Sequence, residues 1–229
     1  MNLLIIRPQP AADRTAKAAK LVGLTPIVMP LFEIAALPWQ ATNAADFDAL
    51  LLTSGNALHY GGEGLSQLKN LPALAVGDAT ADEARRAGLA VAITGDAGKA
   101  ALLAAARDAG FGKLLWLSGK DHIAGEEKVE GGGGIILRHI AVYEARKLPA
   151  PPDFARQLAA ADVAALYSPR AARHFNALLA DAGIGKSAIS IAALSPAIAA
   201  AAGGGWHDIA VAERREDTAL LLAAQSLAR

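Results

Sequence analysis

The chain contains no cysteine. Disulfides, thiolate metal sites and a cysteine nucleophile are therefore excluded, and the composition suits a reducing compartment. Charge of one sign is also lacking, because Lys plus Arg and Asp plus Glu both number 22. Nothing in that balance advertises nucleic acid or an anionic membrane, so any anion site must be local. No apolar stretch approaches the roughly 20 residues of a membrane span. The usual signatures of cofactor and metal chemistry are missing too. No GxGxxG follows the first apolar run, no GxSxG elbow exists, and His59, His122, His139, His174 and His207 show no HxxxH spacing. ADAGIGKS, Ala180 to Ser187, lacks the first glycine of a phosphate loop and follows a helical pattern where it should follow a strand. Neither a cofactor nor a metal is expected.

What is present is apolar: 53% of residues are hydrophobic and 19% charged, which argues for a buried core and against disorder. At 229 residues the chain is one large domain or two small ones. The opening MNLLIIRPQP reads as a strand and not as a signal peptide, and a soluble, cytoplasmic protein is expected. Short apolar runs alternate with segments of helical period, the pattern of βαβ units and a parallel sheet. Strands are expected at 3–6, 26–29, 49–52, 73–76, 91–94, 114–117, 135–137, 163–167, 189–194 and 209–211. Helices are expected at 11–22, 56–61, 79–87, 99–108, 170–182, 197–202 and 218–228. Gly23, Gly88, Gly110 and Gly183 stand where a left-handed residue would end four of them. Glu126 to Glu130 reads as a solvated helix face, and Gly131 to Gly134 as a flexible loop.

The pattern repeats. DALLLTSGNALHY (Asp48 to Tyr60) and DVAALYSPRAARHF (Asp162 to Phe175) share an Asp, four apolar residues, a hydroxyl and a helical segment. Leu71 to Thr94 aligns loosely with Ala188 to Glu213, and Gly23 to Ile34 with Gly133 to Ala145. In the last pair each strand continues into a further extended stretch, Leu31 to Ala36 and Ile140 to Ala145, that suits a two-stranded connection. The chain would begin one domain, cross over, build a second, and return past the proline cluster at Pro149 to Pro152. The expected fold is α/β: two flavodoxin-like parallel-sheet domains joined by a two-stranded β linker, the first discontinuous. Residues 1–30 plus 148–229 form domain 1, 38–138 domain 2, and 31–37 with 139–147 the linker.

Ligands of open parallel sheets bind beyond the carboxyl ends of the strands, where helix N-termini present free amides. Thr53, Ser54 and Asn56 follow one strand, Gly77 and Thr80 another, and Ser118, Gly119 and Lys120 a third. Arg7, Ser168 with Arg170, and Ser195 stand at the corresponding turns of the other domain. Taken singly, such hydroxyls are ordinary N-caps, worth about 1 kcal/mol each. Their repetition, with Arg7, Lys120 and Arg170 beside them, reads as an anion cleft if the domains face each other.

The chain resembles the uroporphyrinogen-III synthase family along essentially its whole length. The first strand, helix and crossover, LLLTSGNAL, AVGDATADEARRAGL, VYEARK and LYSPRAARHF look like the family's successive motifs, in order. The resemblance implies two α/β domains on a two-stranded linker. It implies an enzyme that cyclises linear hydroxymethylbilane to uroporphyrinogen III with inversion of the last pyrrole ring, without a cofactor. Tyr143 matches the family's favoured candidate for assisting hydroxyl departure; as a residue it is equally an aromatic packed in the β ribbon. Thr53, Ser54, Thr80 and Ser168 match its binding turns, and Arg7 its basic residue after the first strand. The chain departs at Ser195-Pro196-Ala197-Ile198, where the family usually has Gly-Pro-Thr-Thr, and at Tyr167, where it often has Thr or Phe. A monomer is expected, with transient handover from hydroxymethylbilane synthase. A non-catalytic two-domain module binding a tetrapyrrole or other polyanion is the competing expectation, and an unrelated two-lobed sensor a third.

Overall fold

The computed structural model describes residues 1–40, 42–120, 129–131 and 134–227. In chain order the elements are β1 (Asn2–Ile5), α1 (Ala11–Leu21), β2 (Thr25–Val28), β3 (Phe32–Ala36), β4 (Ala49–Leu52) and α2 (Asn56–Tyr60). Then come β5 (Ala73–Val76), α3 (Asp78–Arg86), β6 (Val91–Gly95), α4 (Lys99–Asp108), β7 (Lys113–Gly119), β8 (Val129–Gly131) and β9 (Ile135–Lys147). The chain ends with α5 (Phe154–Ala159), β10 (Val163–Leu166), α6 (Pro169–Asp181), β11 (Ser190–Ala193), α7 (Pro196–Ala202), β12 (Ile209–Val211) and α8 (Asp217–Ser226). Two compact units result, Met1–Glu33 with Arg146–Arg229, and Ile34–Ala145. None of the described helices is long and apolar enough to cross a membrane.

The first unit holds a parallel sheet in the order β12-β11-β10-β1-β2. Its inner strands read as unbroken apolar runs because both faces are covered, the condition under which period-two alternation disappears. On one face α1 and α8 pack through Ala12, Ala16, Ala19, Leu220, Leu221 and Ala224 against Leu3, Ile5, Val163 and Ala165. The small alanines in this cluster allow close helix-to-sheet contact. Elsewhere in the unit Phe175 stacks on Trp206, ring centroids 5.8 Å apart.

The second unit has β9-β7-β4-β5-β6 in parallel, with β3 beside β9 and β8 antiparallel to it. Leu50, Leu52, Leu115 and Leu117 point into one core, and Leu51, Leu74, Leu114 and Trp116 into another on the opposite face. Matched through the sequence repeats, β4, β5 and β6 correspond to β10, β11 and β12, and β9 to β2. The two sheets then have the same spatial order, entered by the chain at different strands. That order, 2-1-3-4-5 in the first unit, is the flavodoxin-like one.

The repeated Asp has a structural cause. Asp48 accepts the backbone N–H groups of Gly112 and Lys113, at 2.8 and 2.7 Å, fastening the start of β4 to the start of β7. Asp162 accepts the Asn2 N–H at 2.6 Å, fastening β10 to β1 in the same way.

Several expectations need correction. The strand at 135–137 and the linker strand at 140–145 are one continuous β9, because nothing between them breaks the extended run. The expected helix face at 126–130 is overturned where it is described: Val129 and Glu130 belong to β8. Its residues 126–128, together with His122 and with 132–133 of the glycine loop, lie outside the described residues. The helix α5 and a 3-10 stretch at Gly62–Leu68 were not anticipated, since each is too short to show a period. Gly23, Gly88, Gly110 and Gly183 all adopt positive φ, between 66° and 86°, as their helix-ending positions require.

Candidate functional site

In each unit the sheet has a switch point, where connections leave a neighbouring pair of strands in opposite directions and a crevice opens beyond the carboxyl ends. In the first unit that pair is β1 and β10. Arg7 follows β1, and its guanidinium lies over the Tyr167 ring, 3.9 Å from the centroid, just past β10. Arg7 pairs with Asp217 at 3.0 Å, a partner not expected from the sequence. Burial pushes the Tyr167 phenol above its usual range, and Asp217 adds to this, while Arg7 and the Thr15 hydroxyl act in the opposite direction. Tyr167 is accordingly a neutral hydroxyl at physiological pH.

Ser168 caps α6, its Oγ accepting the Ala171 N–H at 3.0 Å. Pro169 at the first helical position needs no partner for a missing N–H. Arg170 lies over Phe32, 5.1 Å from the ring centroid. Ser195 precedes α7 but does not cap it: its hydroxyl is buried with no hydrogen-bond partner among the described residues, the residue being 7% exposed. The substituted pair beside it divides in burial, Ala197 exposed and Ile198 in the core.

In the second unit the switch-point pair is β7 and β4. Thr53 Oγ1 accepts the Trp116 indole N–H at 3.2 Å, and Ser54 Oγ accepts the Asn56 N–H at 3.2 Å, tightening the turn into α2. A Cβ at Gly55 in this turn would meet the Glu83 carboxylate, which stands 3.1 Å from His59 Nε2 and would have to shift. Gly77, at φ 79°, starts α3, and Thr80 is buried one turn later.

Ser118, expected in a strand-to-helix turn, instead lies inside β7 at 1% exposure, 2.6 Å from His139 Nε2. Burial and this partner make it a core hydroxyl. Gly119 is likewise the last residue of β7, and its lack of a Cβ admits the Tyr143 ring, whose Cε2 would be 2.7 Å from one. Tyr143 itself is 8% exposed, packed among Leu52, Leu117 and Val142, with the Tyr60 ring 6.3 Å away. Lys120 lies 3.5 Å from Glu144. The three cations expected to form an anion cleft are thus each engaged within their own unit.

Sequence reasoning missed Asp217, Thr15, Glu83 and His139. Each meets its partner only through the fold, and Asp217 lies 210 residues from Arg7. Among the described residues no cluster of His, Asp or Glu could hold a metal ion. A cavity of about 290 Å³ beside α5 is lined by apolar residues such as Leu158, Ile184 and Ile189, with no polar side chain to orient a ligand.

Residues 13–221 match the model of a family described as uroporphyrinogen-III synthase HemD. No curated protein sequence matches. Among solved structures, the uroporphyrinogen-III synthetase of Helicobacter pylori is similar with a TM-score of 0.62 at 17% identity, covering 99% of this chain and 100% of that one. A mutant uroporphyrinogen III synthase of Thermus thermophilus is similar with a TM-score of 0.51 at 16% identity, covering 99% and 98%. At these identities the structural likeness speaks for the fold.

Proposed function

The chain belongs to the uroporphyrinogen-III synthase family, and on that premise we propose that its strand-to-helix turns hold the carboxylates of a linear tetrapyrrole. The protein is a cyclising hydro-lyase that converts hydroxymethylbilane to uroporphyrinogen III, with loss of water and inversion of the last ring. The observation that carries this reading is the family match over residues 13–221.

The chemistry asks little of a nucleophile. Protonation of the terminal hydroxyl lets water leave and produces a delocalised azafulvene cation. Attack on that carbon by the substituted position of the last ring gives a spiro intermediate. Reopening and reclosure then invert the ring, and one ring proton is lost at the end. Orientation decides the outcome, because closure at the unsubstituted position gives the uninverted isomer. Hydroxyls and helix-start amides at Thr53, Ser54, Asn56, Gly77, Thr80 and Ser168, with Arg7, Lys120 and Arg170, suit an octacarboxylate. Gly119 contributes by admitting Tyr143. Ser118, buried inside β7 against His139, and Ser195, buried ahead of α7, are assigned to the interior and not to direct contact with the ligand. We assign Tyr143 to hydrogen-bond the departing hydroxyl, a role open to a phenolic O–H donor. The enzyme is proposed to act as a monomer in the cytoplasm, receiving hydroxymethylbilane from its synthase by transient handover.

Incubation with hydroxymethylbilane generated in place tests the reading. Consumption faster than spontaneous closure is expected, and Tyr143→Phe should lower kcat by about tenfold or more. A rate equal to the spontaneous one, with the protein folded, contradicts the reading. It would favour a tetrapyrrole-binding module without catalysis, for which the missing hydroxyls at Ala197 and Ile198 speak.

A further inference from the structure

At the switch point of the first unit two residues from different helices, Thr15 of α1 and Asp217 of α8, converge on one nitrogen of Arg7. Arg7 Nη1 donates to Asp217 Oδ1 at 3.0 Å and Oδ2 at 3.2 Å, and to Thr15 Oγ1 at 3.1 Å. Thr15, fully buried in α1, donates onward to Asp217 Oδ2 at 3.1 Å and stands 3.2 Å from the Tyr167 hydroxyl. The Tyr167 ring supports the guanidinium plane from one side. Nε and Nη2 of Arg7 have no acceptor among the described residues, yet neither belongs to the buried unpaired atoms, and the side chain is 23% exposed. One edge of the guanidinium is therefore fixed by protein while the other meets solvent.

That open edge offers two parallel N–H groups, the fork that matches both oxygens of a carboxylate. Its place beyond the carboxyl ends of β1 and β10 is where an open α/β sheet of this order receives its ligand. We propose that Arg7 takes one substrate carboxylate on its Nε–Nη2 edge, and that Asp217, Thr15 and Tyr167 are positioning residues that hold this edge in place. The identity of the ligand rests on the function proposed above. The assembly exchanges charge for direction. Asp217 cancels most of the long-range pull of Arg7, so an anion gains only if its geometry fits. An arginine already held in one rotamer loses little further freedom on binding. Such a site favours a carboxylate over a less directional anion.

Kinetics on hydroxymethylbilane and calorimetry with uroporphyrin, an octacarboxylate probe, test the proposal. Tyr167→Leu removes the ring beneath Arg7 and should raise KM by about five- to tenfold with kcat changed less than about twofold, the range of a lost cation–π support. Tyr167→Phe keeps the ring and should restore KM to within about twofold. Arg7→Lys cannot fork and should weaken uroporphyrin binding at least as much as Tyr167→Leu. Adding Tyr167→Leu to Arg7→Lys should bring no further loss, since Tyr167 acts through Arg7. Additive losses in the double variant, or equal KM for Tyr167→Leu and wild type, would overturn the proposal. Should Tyr167→Leu fail to fold by thermal unfolding, Asp217→Asn replaces it, with the same requirement of non-additivity with Arg7→Lys. The calorimetric arm separates the two claims. Arg7-dependent uroporphyrin binding without turnover would sink the catalytic reading and leave the cradle standing. Turnover with binding indifferent to Arg7→Lys would sink the cradle alone.

Discussion

Gly119 shows how much a single residue can control. A methyl group there would stand 2.7 Å from the Tyr143 ring, and the ring, in a packed core, has nowhere to withdraw. Gly119→Ala should destabilise the protein by about 1–3 kcal/mol, as overpacking of cores does. It should also lower kcat by displacing Tyr143. Thermal unfolding alongside kinetics checks both, and an unchanged melting temperature would contradict the packing described. At this scale sequence is a partial guide. Ser168 was legible as a cap because cap chemistry is local, depending on residues three positions apart. Ser118 was not, because its burial and its His139 partner depend on the register of β7 with β9. The partner of Arg7 was hidden for the same reason: α8 brings Asp217 to it from the far end of the chain.

At the scale of elements, the clamps at Asp48 and Asp162 join the starts of neighbouring strands. Accepting the Gly112 and Lys113 N–H groups holds the Asp48 carboxyl below its usual range, the Gly112 bond contributing most. A carboxylate with a lowered folded-state pKa adds stability above its unfolded value, and that stability is lost as pH falls through the folded value. Asp48→Ala should therefore cost about 1 kcal/mol at pH 7, an exposed site being screened by water. The gap to wild type should close below the ordinary Asp value of 3.8. Chemical denaturation at pH 7 and at low pH checks this, and a gap independent of pH would contradict the clamp. Element types were legible wherever an apolar run or helical period was long enough. The misses, α5, β8 and the 3-10 stretch, are short pieces whose shape is set by their neighbours.

For the molecule as a whole, the repeats exposed the architecture because the same strand-turn-helix solution is used twice. They could not reveal which turn residues face a ligand, since caps and ligand-binding hydroxyls use the same chemistry until tertiary contacts separate them. The central claim concerns the whole chain: it directs closure of a linear tetrapyrrole so that one ring inverts. Hydroxymethylbilane closing unaided gives the uninverted product, so the isomer ratio reports the protein's contribution directly. The decisive measurement generates hydroxymethylbilane in place, adds the folded protein, oxidises the products and separates type I from type III. A dominant type III product is predicted. Type I alone, from protein shown to be folded, would contradict the account.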